Sequence, residues 1–338
     1  MPNPDKFCSE LREKLARQDL PIIRETSVKL ITQLSTAAAD VDAIVHTIRR
    51  DQIFATRVLA IANSAYYCRS AEKITTVKKA ILLIGHDIIR DVAIAAEFVE
   101  LTHKGGAHKS PQLGRLLARA FVAAHQSTSV CDAIALRDSE TLFTSALLES
   151  LGEVALSIHM PAVYEEIEST TRTQGLRYEE AHRQATGLAP HALTVLVASA
   201  LQLPDELILA PPDWERASEW TPEGRPAAIV HLTNAWASNL FTTDSQLARD
   251  HFNEVVSLAT MAVGLPVATL TMLLTTAFEK AVEFGIHMNL GYPYFAIEVP
   301  QAAETPRQKL LEVLAKCYAR LHTYRAFEVA YRIYSLPI

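Results

Sequence analysis

The stretch Arg49–Val92, RRDQIFATRVLAIANSAYYCRSAEKITTVKKAILLIGHDIIRDV, constrains the fold more than any other, because it spells two helices and the turn between them. Asp51 stands where an N-cap carboxylate accepts a backbone N–H, and Ile53, Phe54, Val58, Leu59 and Ile61 then recur at three- and four-residue steps up to Asn63-Ser64. Thr75 or Thr76 caps the next helix, whose apolar face runs Val77, Ala80, Ile81, Ile84. Gly85 then supplies the residue most tolerant of a left-handed stop. Asn and Ser at a helix end bond the nearby backbone, so Asn63 and Ser64 are read as structural.

The rest of the chain follows the same helical period. Helices are predicted at Phe7–Leu15, Thr26–Leu34, Asp40–Ile48, Ile88–Phe98, Leu113–Cys131, Glu140–Met160, Ala162–Thr173, Tyr178–Thr186 and Pro190–Leu201. Nearly half of the 338 residues are hydrophobic but only 7% are aromatic, with 11 glycines, and this mixture favours packed helices over a sheet. The expected fold class is all-α. Ala-rich faces at Val92–Val99 and Ala118–Ala124 suit close helix approach, and Tyr292–Val299 reads as an extended linker.

Val255–Phe278 carries no charge and has the length of a membrane span, but Gly264-Leu265-Pro266 interrupts it and Ser and Thr dilute it. Two buried helices are expected there and no span. Net charge is −6 with scattered Lys and Arg, which gives no electrostatic footprint for nucleic acid. Cys8, Cys68, Cys131 and Cys317 form no C-x-x-C pair, so neither a zinc knuckle nor a disulfide framework is expected, and a reducing cytoplasm fits. The first residues, MPNPDKFCSELREKL, are charged where a signal peptide needs an apolar core.

In its order, the Arg49–Val92 stretch resembles the HDOD family, the HD-related output domains of bacterial signalling proteins. Members read approximately D-P-x-L, L-x-x-x-N-S-A and a second helix ending in L-G, which Asp51, Asn63, Ser64 and Gly85 follow, with Gln52 in place of Pro and Ile84 in place of Leu. Leu20-Pro21, LLESLGEVAL and SALQLPDELILA extend the likeness over about Leu20–Pro212. The resemblance implies an HDOD-type helical domain related to the HD phosphohydrolase fold, with additional C-terminal helices. The expected organisation is an N-terminal helix at 1–19, the domain at 20–290, the linker at 291–304 and an amphipathic helix at 305–338.

HD-type phosphohydrolases hold two metal ions with a His, a His-Asp pair and an Asp from three helices, because converging imidazoles and carboxylates are needed to activate water. By the resemblance those positions fall on Arg119, Glu149, Ser150 and Asn234. A guanidinium cannot ligate, a hydroxyl and an amide ligate poorly, and only Glu149 keeps a carboxylate. No metal, no cofactor and no catalytic residue are therefore expected. An Arg119–Glu149 fork with Asn234 is expected to fix three helices where metals would sit, unless both charges reach solvent separately.

His86-Asp87 spells HD but follows the Gly85 stop, and Asp87 is read as the cap of the next helix. His231 shares a helical face with Asn234, and with Glu149 and His125 it is the alternative basis of a displaced single-metal site. His159, His182 and His191 lie on separate segments without metal-ligand spacing and receive no role.

The resemblance implies non-catalytic signal transduction in the cytoplasm through protein contacts, with another chain or with a second copy. The alternatives are a residual metal-dependent phosphohydrolase and a pseudoenzyme that senses a nucleotide through Arg119. A possible partner surface lies at the C-terminus. There Thr305-Pro306 with Gln308 opens a capping box, and Leu310, Leu314, Cys317, Leu321 and Tyr324 form a stripe followed by Phe327, Tyr331 and Tyr334. The alternative is that this stripe packs back on the core.

Overall fold

The computed structural model describes residues 3–17, 30, 34, 40–50, 52–63, 67, 73–104, 111–136, 139–201, 203, 205–212, 224–242, 245–288, 290–298 and 304–319. Among these residues every regular element is helical, as the composition predicts. The helices are α1 (Pro4–Arg17), α2 (Val41–Arg49), α3 (Gln52–Ala62), α4 (Val77–Lys104), α5 (Pro111–Ala133), α6 (Ser139–Leu148), α7 (Leu151–His159), α8 (Pro161–Gln174) and α9 (Tyr178–Thr186). They continue as α10 (Pro190–Ala200), α11 (Arg225–Leu240), α12 (Gln246–Val263) and α13 (Val267–His287), with α14 at residues 306–319.

Helix α5 is the central beam. Its small residues Ala118, Ala120, Ala123 and Ala124 are fully buried, which lets α6, α11 and α13 pack closely around it. The predicted apolar face of α3 is buried at Phe54, Val58 and Ile61, and that of α4 at Val77, Ala80, Ile81 and Ile84. Each such side chain withdrawn from water contributes roughly 1.5–3 kcal/mol.

The predicted turn is held by Asn63. Its amide nitrogen donates to the carbonyls of Leu59 and Ile74, and its oxygen accepts from the Ile74 N–H at 2.8 Å, so one side chain ties the end of α3 to the start of α4. Thr76 caps α4 by accepting from Lys79 N–H. Asp51 and Ser64 lie outside the described residues. Gly85 has φ 86° and ψ 164°, a conformation open to glycine alone, and it ends the first helical segment of α4 at the predicted stop, where the chain kinks into the second. The helix resumes at once through His86-Asp87, and Asp87 sits 3.4 Å from Arg90.

Three predicted elements are corrected. Glu140–Met160 is not one helix: it breaks at Glu149-Ser150, where the Thr194 hydroxyl of α10 takes the Glu149 carbonyl at 2.8 Å. Tyr292–Val299 is not an extended linker, because Tyr292–Phe295 forms a 3-10 turn. Gly285 and Gly114 leave the space that the Phe295 and Tyr294 rings fill, and a Cβ at either glycine would come within 2.4 Å of a ring atom. The sequence could not announce this, since the seats lie on α5 and α13.

The third correction concerns the C-terminal stripe. Leu310 and Leu314, offered as a possible partner surface, are buried at 3% and 0% exposure, which is the alternative of packing back on the core. The capping box forms as predicted, with Thr305 N–H donating to Gln308 and Gln308 N–H to Thr305. Arg307, fully buried, then donates to the Asn239 side chain and carbonyl and to the Thr242 carbonyl at 2.6–2.7 Å, which clamps α14 to the end of α11. Leu321, Tyr324, Phe327, Tyr331 and Tyr334 lie outside the described residues.

The uncharged stretch Val255–Phe278 divides as expected. Gly264 ends α12 at φ 71°, and α13 leaves at 103° to it. Among the described residues one run, Thr141–His159, is long and apolar enough to cross a membrane, and 72% of it is buried within the fold.

Candidate functional site

The break between α6 and α7 places the site. Gly152, the second residue of α7, faces the backbone of α10 so closely that a Cβ would lie 2.7 Å from Thr194 N. This contact lets the Thr194 hydroxyl donate to the Glu149 carbonyl and accept from Gly152 N–H at 3.3 Å. The Glu149 side chain is thereby held beside His191, in the first turn of α10. The unpaired N–H groups of that turn favour a carboxylate there.

From the other side α11 brings His231 and Asn234. The Asn234 amide donates to the Ala146 carbonyl of α6 at 3.0 Å and to Val230 within its own helix, which fixes the rotation of α11. His231 Nδ1 then lies 3.2 Å from Glu149 Oε1, and His191 Nδ1 lies 3.5 Å from Glu149 Oε2. The two imidazole rings meet edge to face with centroids 5.5 Å apart. His231 Nε2 points the opposite way, to the Leu209 carbonyl at 3.0 Å.

The charges follow from this packing. Burial opposes ionisation of Glu149, but His191 and His231 outweigh it and hold the carboxyl below its usual range. Burial likewise disfavours the His231 imidazolium, and Glu149 outweighs it and raises that pKa.

The expected Arg119–Glu149 fork is corrected by the pairings observed. Arg119 meets Glu153 and not Glu149, both charged groups being largely buried. Desolvation opposes the guanidinium charge, and Glu153 restores it, so the Arg119 pKa stays above its ordinary value. Tyr164, Tyr178 and Glu168 surround this pair, and burial raises the pKa of each. Ser150 is buried and its hydroxyl donates to the Leu147 carbonyl. Glu153 follows Glu149 by one helical turn, so family spacing alone does not distinguish them.

His191, given no role from the sequence, is the missed member. It is 42 residues from Glu149 and 40 from His231 in the numbering, and no local spacing signals their meeting. His125, expected as a third ligand, lies elsewhere: its ring packs on Phe143 and Phe284 at 5.0 and 5.2 Å. There it lines a cavity of about 250 Å³ between α3, α4, α5 and α13, together with Asp91, Asp132 and Lys280. Burial, then Lys280, depresses its pKa to about 3.

Comparison with known proteins agrees with this architecture. The chain superposes on an HDOD domain protein of unknown function from Geobacter sulfurreducens with a TM-score of 0.62 and 16% identity, covering 83% of this chain and 99% of that one. A Shewanella amazonensis SB2B protein provisionally named a phosphohydrolase gives 0.60 and 17%, covering 83% and 98%. A provisionally named signal transduction protein from Marinobacter aquaeolei VT8 gives 0.58 and 15%, covering 85% and 66%. At these identities the likeness is one of fold. No curated protein matches the sequence at a significant level. The sequence profile of the HDOD domain matches residues 20–211, more than half of the chain, and takes in Asn63, Gly85 and the Glu149–Gly152 turn. The chain belongs to the HDOD domain family.

Proposed function

We propose that this chain is a non-catalytic bacterial signal transduction module that acts through protein–protein contacts in the cytoplasm. The observation that carries the reading is the fate of the positions corresponding to HD-type ligands. Arg119 is paired with Glu153, Ser150 donates to Leu147 and Asn234 donates to two backbone carbonyls. Two of the four positions, Arg119 and Asn234, thus tie helices together and Ser150 bonds its own turn, whereas a two-metal hydrolytic centre needs such positions as lone-pair donors. The nucleotide-sensing alternative is disfavoured by the same pair, because a phosphate would have to displace a largely buried carboxylate from Arg119.

The full chain is expected to release no product from cyclic dinucleotides or nucleoside phosphates with Mn²⁺ or Zn²⁺ present. Turnover that disappears in Glu149→Ala would overturn the reading in favour of the residual phosphohydrolase.

A further inference from the structure

We infer that Glu149, His191 and His231 form a site for one divalent transition-metal ion of the zinc class, built from three separate helical segments and displaced from the HD-type ligand set. Their donor atoms all lie within 4.8 Å of one another. His231 Nδ1 lies 3.2 Å from Glu149 Oε1 and His191 Nδ1 3.5 Å from Glu149 Oε2, so a carboxylate gripping with both oxygens, or turned slightly to offer one, would put an ion about 2.0–2.2 Å from each donor. Small movements would therefore seat an ion.

Two further features favour a cation. His191 Nδ1 is buried and without a hydrogen-bond partner, and in the tautomer protonated at Nε2 its lone pair is open to an ion beside Glu149. His231 Nε2 faces the Leu209 carbonyl, which accepts only if that nitrogen carries the proton. This leaves Nδ1 as the nitrogen presented to Glu149, and an outer partner of this kind orients metal-binding imidazoles. The supports are rigid as well. Thr194 and Gly152 hold Glu149 against α10, and Asn234 holds α11 against α6.

Two imidazoles and one carboxylate suit Zn²⁺, Co²⁺ or Ni²⁺ better than Mg²⁺ or Ca²⁺, which prefer all-oxygen shells. The three side chains keep 11–17% of their surface exposed, so a water molecule can supply the fourth position. The ion would link the α6–α7 junction to α10 and α11, and occupancy would then govern the stiffness of the domain around that junction. This goes beyond the non-catalytic reading and does not require turnover.

The test is uptake by the full chain after chelation. The wild type is expected to bind one equivalent of Co²⁺ with visible absorption of a four- or five-coordinate ion, and Zn²⁺ is expected to raise its melting temperature. His191→Ala and His231→Ala are each expected to weaken binding roughly tenfold or more and to lose the melting shift. Their metal-free melting curves control for folding. X-ray absorption on the zinc-loaded wild type needs no variant and is expected to read two imidazoles and oxygen. No uptake near stoichiometric metal, uptake unchanged in His191→Ala, or a sulfur-ligated spectrum would overturn the site. Hydrolysis by the loaded protein would overturn the non-catalytic reading and leave the site standing.

Discussion

Arg119 and Glu153 are an ion pair largely removed from water, and such a pair is most costly when halved. Arg119→Met is expected to lose roughly 3–5 kcal/mol in denaturant unfolding, because it strands the Glu153 charge. Arg119→Met with Glu153→Leu is expected to recover most of that loss, while Arg119→Met with Glu149→Leu is not. A second residue speaks through pH. His125 is held at about 3 by burial and Lys280, against an ordinary 6.5, so the unfolded chain takes up a proton that the folded chain refuses. Its contribution is complete above about pH 6.5 and is lost as the pH falls toward 3. Unfolding at pH 7 and pH 4.5 should show the loss, and His125→Phe should flatten it. At this scale the sequence singled out Arg119, Glu149 and Asn234 but not their partners. Glu149 and Glu153 are four residues apart in the sequence, and what separates them is the helix break held by the Thr194 hydroxyl and Gly152, which no periodicity reveals.

Among the elements, legibility follows locality. The Thr76 cap, the Thr305–Gln308 box, the Gly264 stop and the Asn63 turn depend on residues near in sequence, and each was readable from composition and spacing. The Tyr292–Phe295 turn depends on Gly114 and Gly285, far along the chain, and was not; the packing of the Leu310–Leu314 stripe was, but its Arg307 clamp on Asn239 was not. Gly152→Ala is expected to cost about 1–3 kcal/mol by pushing α7 from α10, visible as a lower melting temperature. Arg307→Met removes the clamp under α14 and leaves the Asn239 and Thr242 carbonyls without their charged donor. A loss of at least about 3 kcal/mol is expected, with hydrogen exchange rising first in residues 306–319.

At the scale of the whole molecule, α6, α11 and α13 pack against α5, and the α6–α7 junction, α10 and α11 bring Glu149, His191 and His231 together. Arg119 ties α5 to α7, and Asn234 ties α11 to α6. The fold is that of the HDOD family, and the proposal is that its side chains serve as a scaffold. The most direct test is a single-turnover measurement with zinc-loaded full chain in excess over a cyclic dinucleotide. The account predicts product formation equal to that of Glu149→Gln under the same conditions. Product formed faster by the wild type, and at a rate that follows metal occupancy, would contradict it.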